Sequence, residues 1–293
     1  MMQSLMELEA RQTPDVIKSQ GVHNRHVVQG VAEKLRKLSP KMVMIVGRGS
    51  SDHAGVFAKY LIEIEAGIPV CAAAPSISSI YGKKLNLAGT FVIVISQSGR
   101  SPDILAQTRM AKEAGAYCVA MVNDESSPLA ELVDDVIPLR AGEEKSVAAT
   151  KSYLATLGAL LQLVAYWKNN DALIDAFNEL PSLLDQTQQQ QAQLTVSMLE
   201  TLRNLVVLGR GLGYAVCKEI ALKLKEVCSI HAEAFSSAEF IDGPVTLVEK
   251  QLTVINCDVA DEAQQFHRQQ IEDVTNRGAQ VFNIDQSIEN AHP

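Results

Sequence analysis

Phe91–Asp103 reads FVIVISQSGRSPD, an apolar, β-branched run that passes directly into a hydroxyl-rich turn and a helix start. The run Phe91–Ile95 predicts a strand that is buried on both faces. Ser101 is the predicted N-cap of the following helix, and Pro102 suits its first position. Such a helix directs its free N–H groups and the positive end of its dipole back at the serines. The pattern predicts a phosphate-binding site. The alternative is that the serines only cap the helix and keep the turn hydrated.

A second turn of the same kind comes earlier in the chain. The segment Val46–Gly55, VGRGSSDHAG, places Ser50 and Ser51 between a predicted strand and a predicted helix. Its glycine pattern is broken at Asp52, where a dinucleotide-binding loop has a third glycine, so this loop type is weakly supported. Because ligands of open parallel sheets bind beyond the carboxyl ends of the strands, we expect the two serine loops to face each other.

Composition sets the class of the protein and its expected surroundings. The 293 residues suggest two domains, and 47% hydrophobic with 20% charged residues is typical of a soluble α/β protein. A net charge of −8 argues against nucleic acid as the main partner. The absence of a long apolar span or an apolar leader argues against a membrane or secreted protein. Five cysteines without a CxxC pair indicate a reduced, cytoplasmic protein, and the histidine spacing predicts no metal site.

Strand and helix signals alternate along the first half of the chain, which predicts a parallel sheet with helices on both faces. Pro138 places the last of these strands at an edge of the sheet. The predicted strands are Met42–Val46, Pro69–Ala73, Phe91–Ser96, Tyr117–Val122 and Val136–Leu139. The predicted organisation is a helical segment over residues 1–37, a first domain over 38–183, a linker helix over 184–198 and a second domain over 199–293.

The second half of the chain repeats the first. VGRGSSDHAG is echoed by LGRGLGYAVC (Leu208–Cys217), and each follows a predicted buried strand and precedes a predicted helix. A duplicated α/β unit explains this echo. The predicted strands of the copy are Asn204–Leu208, Cys228–Glu233, Leu252–Cys257 and Gln280–Ile284. Because the echo lacks the serines, we expect the first unit to hold the phosphate.

Three ordered motifs, ISQSGRSPD, AGEEKSVAATKS and KEVCSIHAEAFSSAEFIDGP, together resemble the sugar isomerase (SIS) proteins. These include the isomerase part of glucosamine-6-phosphate synthase and standalone proteins with two SIS domains, described as glucosamine-6-phosphate deaminases or phosphosugar aldose-ketose isomerases. The resemblance covers nearly the whole chain. It implies an α/β fold of two tandem SIS domains, each a three-layer αβα unit, and a homodimer with the sugar site at the subunit interface.

The resemblance also implies roles for particular residues. It assigns Val147 and Ala148 to backbone contacts with the sugar and Glu226 to proton transfer. The implied phosphate contacts are Ser51, Ser96, Gln97, Ser98 and Ser101, with Ser50 adjacent. Locally, Glu226 forms a polar stripe with Glu219 and Lys223, a pattern that usually marks a solvated helix face. The chemistry nevertheless requires one carboxylate that moves a proton between two sugar carbons.

The sequence departs from the synthase at Asp242, where the synthase motif has a histidine assigned to opening the sugar ring. Ser236 and Glu239 resemble a capping box, which predicts a short helix that ends near Asp242. An acid beside the negative end of a helix is locally unfavourable, which hints at function. Asp242 or His231 is therefore a candidate for handling the ring proton, and a loop acid without a role is the alternative.

Two further departures concern the ends of the chain. The chain closes with AHP where the relatives continue into a tail whose lysine reaches the sugar, so that lysine is not assigned, and we expect either a truncated chain or a less covered site. An N-terminal glutaminase domain is absent from the sequence, so we do not expect synthesis from glutamine on this chain alone.

The sequence as a whole predicts an amino-sugar-phosphate deaminase/isomerase that converts glucosamine 6-phosphate, or a close relative, into fructose 6-phosphate and ammonia without a cofactor. The alternatives are a plain phosphosugar isomerase, a deglycase of phosphorylated fructosamines and a sugar-phosphate sensor that binds without turnover. A nucleotide-dependent dehydrogenase is a more distant one.

Overall fold

The structure, a computed structural model, describes residues 3–285. The chain forms two compact units that divide after Gln188. Each unit contains one parallel β-sheet, as the alternation of strands and helices predicts. The last residues of the predicted second domain, and with them the prediction about the C-terminal tail, lie outside the described residues.

The first unit has a five-stranded sheet in the order β2-β1-β3-β4-β5. Its strands are β1 (Val43–Val46), β2 (Val70–Ala72), β3 (Phe91–Ser96), β4 (Tyr117–Val122) and β5 (Asp135–Pro138). The predicted edge position of Pro138 is confirmed, because β5 pairs with β4 alone. An edge strand tolerates proline because the missing N–H interrupts no ladder there.

Helices cover both faces of this sheet. They are α1 (Leu5–Ala10), α2 (Thr13–His23), α3 (Arg25–Leu38), α4 (Ser50–Ala66), α5 (Ser76–Ser79), α6 (Pro102–Glu113), α7 (Pro128–Leu132), α8 (Lys151–Lys168) and α9 (Asp171–Gln188). Every residue of β3 is buried, as predicted. Val92 and Val94 pack in one cluster with Ile104 of α6. Side chains alternate along a strand, so Ile45 of β1 faces the other way, where α4 lies against it.

The second unit repeats the plan with a four-stranded sheet in the order β7-β6-β8-β9. Its elements are α10 (Val196–Leu199), β6 (Asn204–Gly209), α11 (Leu212–Cys228), β7 (His231–Ser236), α12 (Ser237–Asp242), a 3₁₀ segment (Pro244–Lys250), β8 (Thr253–Cys257), α13 (Gln264–Asn276) and β9 (Gln280–Ile284). One face packs against α11 through residues such as Leu224, and the other packs against α12 and α13 through Phe240 and Ile271. The predicted α/β fold class, parallel sheets between helical layers, is confirmed in both units.

The predicted linker helix over 184–198 is not continuous. Helix α9 ends at Gln188, residues 189–195 are not helical, and α10 is a single turn. The side chains of residues 189–193 are all exposed. A helix in water is stabilised mainly by packing of an apolar face, and the glutamine tract offers none.

The predicted boundary of the strand Cys228–Glu233 is also wrong. Helix α11 continues to Cys228, and Ser229 ends it in a left-handed conformation with φ of 54°. The strand can begin only after this cap, so β7 starts three residues later than predicted. The short helix that follows does end at Asp242 as predicted, but the Ser236 side chain makes no capping hydrogen bond.

The described residues also lack two kinds of feature. Within residues 3–285, no helix combines the length and the apolar character that crossing a bilayer requires. The same residues contain no group of three or more histidine, cysteine, aspartate or glutamate side chains placed to hold a metal ion.

Candidate functional site

The order of the first sheet creates a crevice at the carboxyl ends of β1 and β3. From β1 the chain passes to β2 on one side, and β3 lies on the other side. Open parallel sheets bind ligands at such a point, because the loops that follow the two strands diverge there. Both serine loops emerge at this crevice, one between β1 and α4 and the other between β3 and α6.

The turn after β3 is held by its own polar groups and by its neighbours. The buried Ser96 hydroxyl accepts a hydrogen bond from the Gly99 N–H at 3.0 Å. The carbonyl of Gln97 accepts the N–H of Asn123 at 3.2 Å, and the carbonyl of Gly99 accepts the N–H of Leu129 at 3.2 Å. These contacts fix the backbone of the turn without using the other side chains of the serine loop.

Those other side chains have no protein partner. Within residues 3–285, the hydroxyls of Ser51, Ser98 and Ser101 and the amide of Gln97 make no hydrogen bond to another protein group. Ser101 is the N-cap of α6, and Pro102 stands at the start of the helix, both as predicted. The start of the helix therefore places these hydroxyls and the free N–H groups of its first turn close together, and such an arrangement can bind anions.

A small cavity of about 40 Å³ joins the two loops to a third helix. Ser51 at the start of α4 and Gln97 after β3 both line it, together with Ser152 and Thr156 from the first turns of α8. The first turns of α4 and α8 thus both line this cavity, and α6 begins at Pro102, shortly after Gln97, so the positive ends of these helix dipoles lie near the crevice. Helix dipoles and hydroxyl groups placed in this way can stabilise an anion.

Two ion pairs lie at these turns. Arg48, from the loop after β1, forms an ion pair with Asp103 in the first turn of α6. Arg100 forms another with Asp124 at 2.8 Å. The first pair links the two serine loops and neutralises a carboxylate that would otherwise repel a second anion.

The loop 143–150 carries the predicted sugar contacts Val147 and Ala148 and leads into α8. The Val147 side chain is fully exposed, whereas Ala148 is buried. Glu144 anchors the far end of this loop, because its carboxylate accepts the N–H of Thr150 at 2.9 Å and also pairs with the Ser152 hydroxyl. The buried ammonium of Lys151 donates to the Glu143 carbonyl at 2.7 Å.

Glu9 of α1 holds the near end of the same loop. Its buried carboxylate accepts the N–H of Lys145 at 2.5 Å, the N–H of Ser146 at 3.0 Å and the Ser146 hydroxyl. Burial raises the pKa of Glu9, but the Ser146 hydroxyl and the two backbone N–H groups more than offset it, so the pKa lies below its usual value. Glu9 therefore stays ionised as a fixed acceptor for the loop.

The second unit contains Glu226 near the end of α11. Lys223 donates to Oε2 of Glu226 at 2.8 Å and lies 3.2 Å from a carboxylate oxygen of Glu219. The interpretation of this stripe as a solvated face fits Glu226, which is exposed, but not Glu219, which is only 6% exposed, or Lys223, which is largely covered. The Glu226 side chain keeps 38% of its surface exposed, and within the described residues its Oε1 has no partner.

The two candidates for the ring proton lie apart within the second unit. His231 begins β7, whereas Asp242 ends the helix that follows the other end of that strand. Both side chains are exposed. A six-residue strand spans about 20 Å, so the two side chains of one chain do not act at the same point of this unit.

The described part of the second unit does not repeat the group of serine hydroxyls that lies at the crevice of the first unit. In the first unit, Val46 of β1 pairs with Val94 of β3, and the residues two positions further along are Arg48 and Ser96. In the second unit, Leu208 of β6 pairs with Asn256 of β8, and the residues two positions further along are Arg210 and Asp258. Val259, Ala260 and Ala263 then replace Gln97, Ser98 and Ser101. A methyl group of Val259 packs against Gly213 at the start of α11. The described part of this crevice thus offers a carboxylate and apolar groups in place of alcohols.

Comparison with known families agrees with this geometry. A family model described as the SIS domain matches residues 38–166 and 198–291. The chain belongs to the SIS domain family. The resemblance stated from the motifs is confirmed, and so is the expectation that SIS sequence occurs in two segments.

Among curated proteins, the SIS chain is 34% identical over 278 residues to the isomerizing glutamine--fructose-6-phosphate aminotransferase of Clostridium tetani (strain Massachusetts / E88). That match covers 88% of this chain and 45% of the aminotransferase, so the chain spans less than half the length of that relative.

Two solved structures are similar over almost the whole SIS chain. A protein of Silicibacter pomeroyi DSS-3, provisionally assigned as a phosphosugar isomerase, shares 37% identity with a TM-score of 0.91, over 98% of this chain and 88% of that one. The C-terminal domain of glucosamine-fructose-6-phosphate aminotransferase from Francisella tularensis shares 26% identity with a TM-score of 0.82, over 97% and 84% of the two chains.

Sequence reasoning missed several residues that shape the site. Glu9 and Glu144 have no local signal, and the hydrogen-bond partner of Glu9 lies 137 residues away. The Arg48–Asp103 pair likewise joins two loops that are distant in sequence. The spacing of Glu219, Lys223 and Glu226 was visible, but the sequence did not show that Glu219 and Lys223 are covered while Glu226 stays exposed.

We expect Gly99→Ala to destabilise the first unit by about 3 kcal/mol. Gly99 has a φ of 64°, and an added Cβ would lie 2.6 Å from the Cβ of the buried Ser127. Chemical denaturation measures the effect. Gly89→Ala is the matched control, because Gly89 also has a positive φ of 71° but open space around it, and we expect a loss of about 1 kcal/mol. Equal losses would contradict the close contact in the serine turn.

We expect the stabilising effect of Glu9 to depend on pH in a defined direction. A carboxyl group whose pKa is lowered by folding stabilises the protein above its unfolded pKa, and this contribution is lost as the pH falls through the native pKa. The free energy of unfolding of wild type should exceed that of Glu9→Gln near pH 7, and the difference should shrink progressively as the pH falls below about 4.3, the ordinary pKa of a glutamate. Denaturant unfolding across this range measures it, and a difference that stays constant with pH would refute the assignment.

Proposed function

We propose that the protein is a phosphosugar isomerase that acts on glucosamine 6-phosphate, or a close relative, and releases fructose 6-phosphate and ammonia. The observation that carries this proposal is that the hydroxyls of Ser51, Ser98 and Ser101, near the helix N-termini at the crevice, have no protein partner within residues 3–285. The membership of the SIS family and the isomerase part of the aminotransferases named above support the substrate class. The release of ammonia is the more specific part of the proposal, and it rests on the motif resemblance.

The first unit binds the substrate by its phosphate. A phosphate dianion in the crevice accepts hydrogen bonds from Ser51, Ser96, Gln97, Ser98 and Ser101, with Ser50 adjacent, and is stabilised by the helix dipoles. Each helix terminus contributes about 0.3 to 2 kcal/mol to such a site. The backbone of Val147 and Ala148 contacts the sugar and fixes its orientation, which lowers the entropic cost of the reaction.

Glu226 is the proposed base. With the sugar in its open-chain form, one oxygen of the carboxylate removes the proton from C2. The electron pair forms a C1–C2 double bond, the π bond of the C1 carbonyl breaks, and its oxygen takes a proton from water, which gives an enolamine. The same carboxylate returns the proton to C1 as the C1–C2 double bond opens, and the nitrogen gives a proton to water and becomes an imine at C2. Lys223 holds the other oxygen of Glu226 at 2.8 Å and so orients the carboxylate. Water then adds to the imine carbon, and ammonia leaves.

Three other parts of the scheme are also proposals. Asp242 or His231 transfers the ring proton before isomerisation. Two copies of the chain form a homodimer with the sugar site at the subunit interface, and the protein works in the cytoplasm without a cofactor. Residues 38–183 and 199–293 are the two SIS domains, and residues 1–37 are an N-terminal helical segment that belongs to the first compact unit.

The test of the proposed function is a product assay with the purified protein and glucosamine 6-phosphate. We expect stoichiometric ammonia and fructose 6-phosphate, and we expect Glu226→Gln to lower kcat by at least about 10²-fold, because it removes the base. Glu272→Gln, an exposed residue of α13, is the control and should keep full activity.

The other outcomes of that assay separate the alternatives. Ketose-aldose interconversion without ammonia would indicate a plain isomerase, and ammonia only from phosphorylated fructosamines would indicate a deglycase. Binding without any product would indicate a sensor. Full turnover by Glu226→Gln would show that another group moves the proton.

We expect the double variant Ser98→Ala with Ser101→Ala to weaken binding of glucosamine 6-phosphate by about 10²-fold, since it removes two hydrogen bonds to a charged group. Its thermal stability should stay unchanged, because these hydroxyls have no protein partner within the described residues. Isothermal titration calorimetry measures the affinity. Ser79→Ala, an exposed serine of α5, is the control. Unchanged affinity in the double variant would place the phosphate elsewhere.

A further inference from the structure

The hydroxyl of Ser146 lies between two competing acceptors. Its Oγ is within hydrogen-bond distance of a carboxylate oxygen of Glu9 and lies 3.0 Å from the carbonyl oxygen of Ala148. A serine hydroxyl carries one proton and therefore donates to one of these acceptors at a time. Whichever acceptor takes the proton decides whether the Ala148 carbonyl is occupied or open.

We propose that Glu9 is a positioning residue that draws the Ser146 hydroxyl away from the Ala148 carbonyl and leaves this carbonyl free to accept a hydrogen bond from a sugar hydroxyl. This inference rests on the proposed function, because it takes the sugar phosphate as the ligand of the loop. Glu9 itself does not contact the sugar, and its effect passes through Ser146.

The competition favours Glu9 for a physical reason. A carboxylate is a stronger acceptor than a neutral carbonyl, and charge-assisted hydrogen bonds are both shorter and stronger. The same carboxylate is fixed by the N–H groups of Lys145 and Ser146, so it cannot turn away from the hydroxyl. Without Glu9, the hydroxyl has the Ala148 carbonyl as its remaining acceptor among residues 3–285, and a sugar hydroxyl must displace it.

The rest of the loop is held without Glu9. Glu144 binds Thr150 and Ser152 at the start of α8, and Lys151 donates to Gln12 at 2.7 Å. Removal of the Glu9 carboxylate therefore leaves the far end of the loop anchored. The expected consequence is local, at residues 145–148, rather than a collapse of the loop.

The experiment is a double-mutant cycle on KM for glucosamine 6-phosphate with Glu9→Ala, Ser146→Ala and the double variant. We expect Glu9→Ala to raise KM about tenfold with kcat nearly unchanged, because it weakens a contact that is equal in the ground state and the transition state. Ser146→Ala should stay within about twofold of wild type. The double variant should recover to within about threefold, since no hydroxyl remains to occupy the carbonyl.

Glu7→Ala is the matched control, because Glu7 lies on the same helix and its exposed carboxylate pairs only with Gln3 and Arg11 within the described residues. We expect it to behave as wild type. A double variant as impaired as Glu9→Ala, or more impaired, would overturn the competition and leave Glu9 as a merely structural anchor. Glu9→Met, which keeps the length of the side chain but offers no comparable acceptor, repeats the test if Glu9→Ala folds poorly.

Amide hydrogen exchange separates this inference from the proposed function. If wild type lacks turnover, the proposed function fails, and the exchange of residues 145–148 still tests the contact with Glu9. We expect faster exchange there in Glu9→Ala than in Glu7→Ala, because the Lys145 and Ser146 N–H groups lose their acceptor. Equal exchange in the two variants would overturn the positioning role without reference to activity.

Discussion

The convergence of helix N-termini at a crevice lined by uncharged alcohols is the constraint on which the rest of the structure depends. This crevice exists because β3 is buried on both faces and therefore ends inside the protein, where the chain must turn sharply into α6. The Ser96 hydroxyl accepts a backbone N–H of the turn itself, whereas the hydroxyls of Ser98 and Ser101 have no protein partner in the part of the chain that the structure describes. For a protein with a net charge of −8, an anion must be held by such local dipoles rather than by the overall field.

Carboxylates play a structural part around this crevice as well as the proposed catalytic one. Glu9 and Glu144 each accept backbone N–H groups and serine or threonine hydroxyls, and together they hold both ends of the loop that leads into α8. A buried carboxylate such as Glu9 is stable only when its hydrogen bonds are complete. The second unit shows the complementary case, since Asp258 stands where the first unit has Ser96 and pairs with Arg268. Duplication thus preserved the fold while the two crevices took different chemistry.

Much of the fold follows from patterns that the sequence displays. The β-branched run of β3, the Ser-Pro start of α6 and the edge proline Pro138 all predict what the structure contains, because they act locally. The start of β7 and the break after Gln188 were mispredicted, since cap position and solvent exposure decide them. Local sequence patterns could not predict that Glu9 and Glu144 hold the loop 143–150. No pattern within a helix of six residues shows that Glu9 binds a loop 137 residues further along the chain.

The most direct measurement of the central claim is a crystal structure of the protein grown with glucosamine 6-phosphate. The account predicts phosphate density at the carboxyl ends of β1 and β3, within hydrogen-bond distance of Ser98 and Ser101, with no arginine or lysine side chain replacing these contacts. Phosphate density at another place on the chain, with this crevice empty or closed, would contradict it.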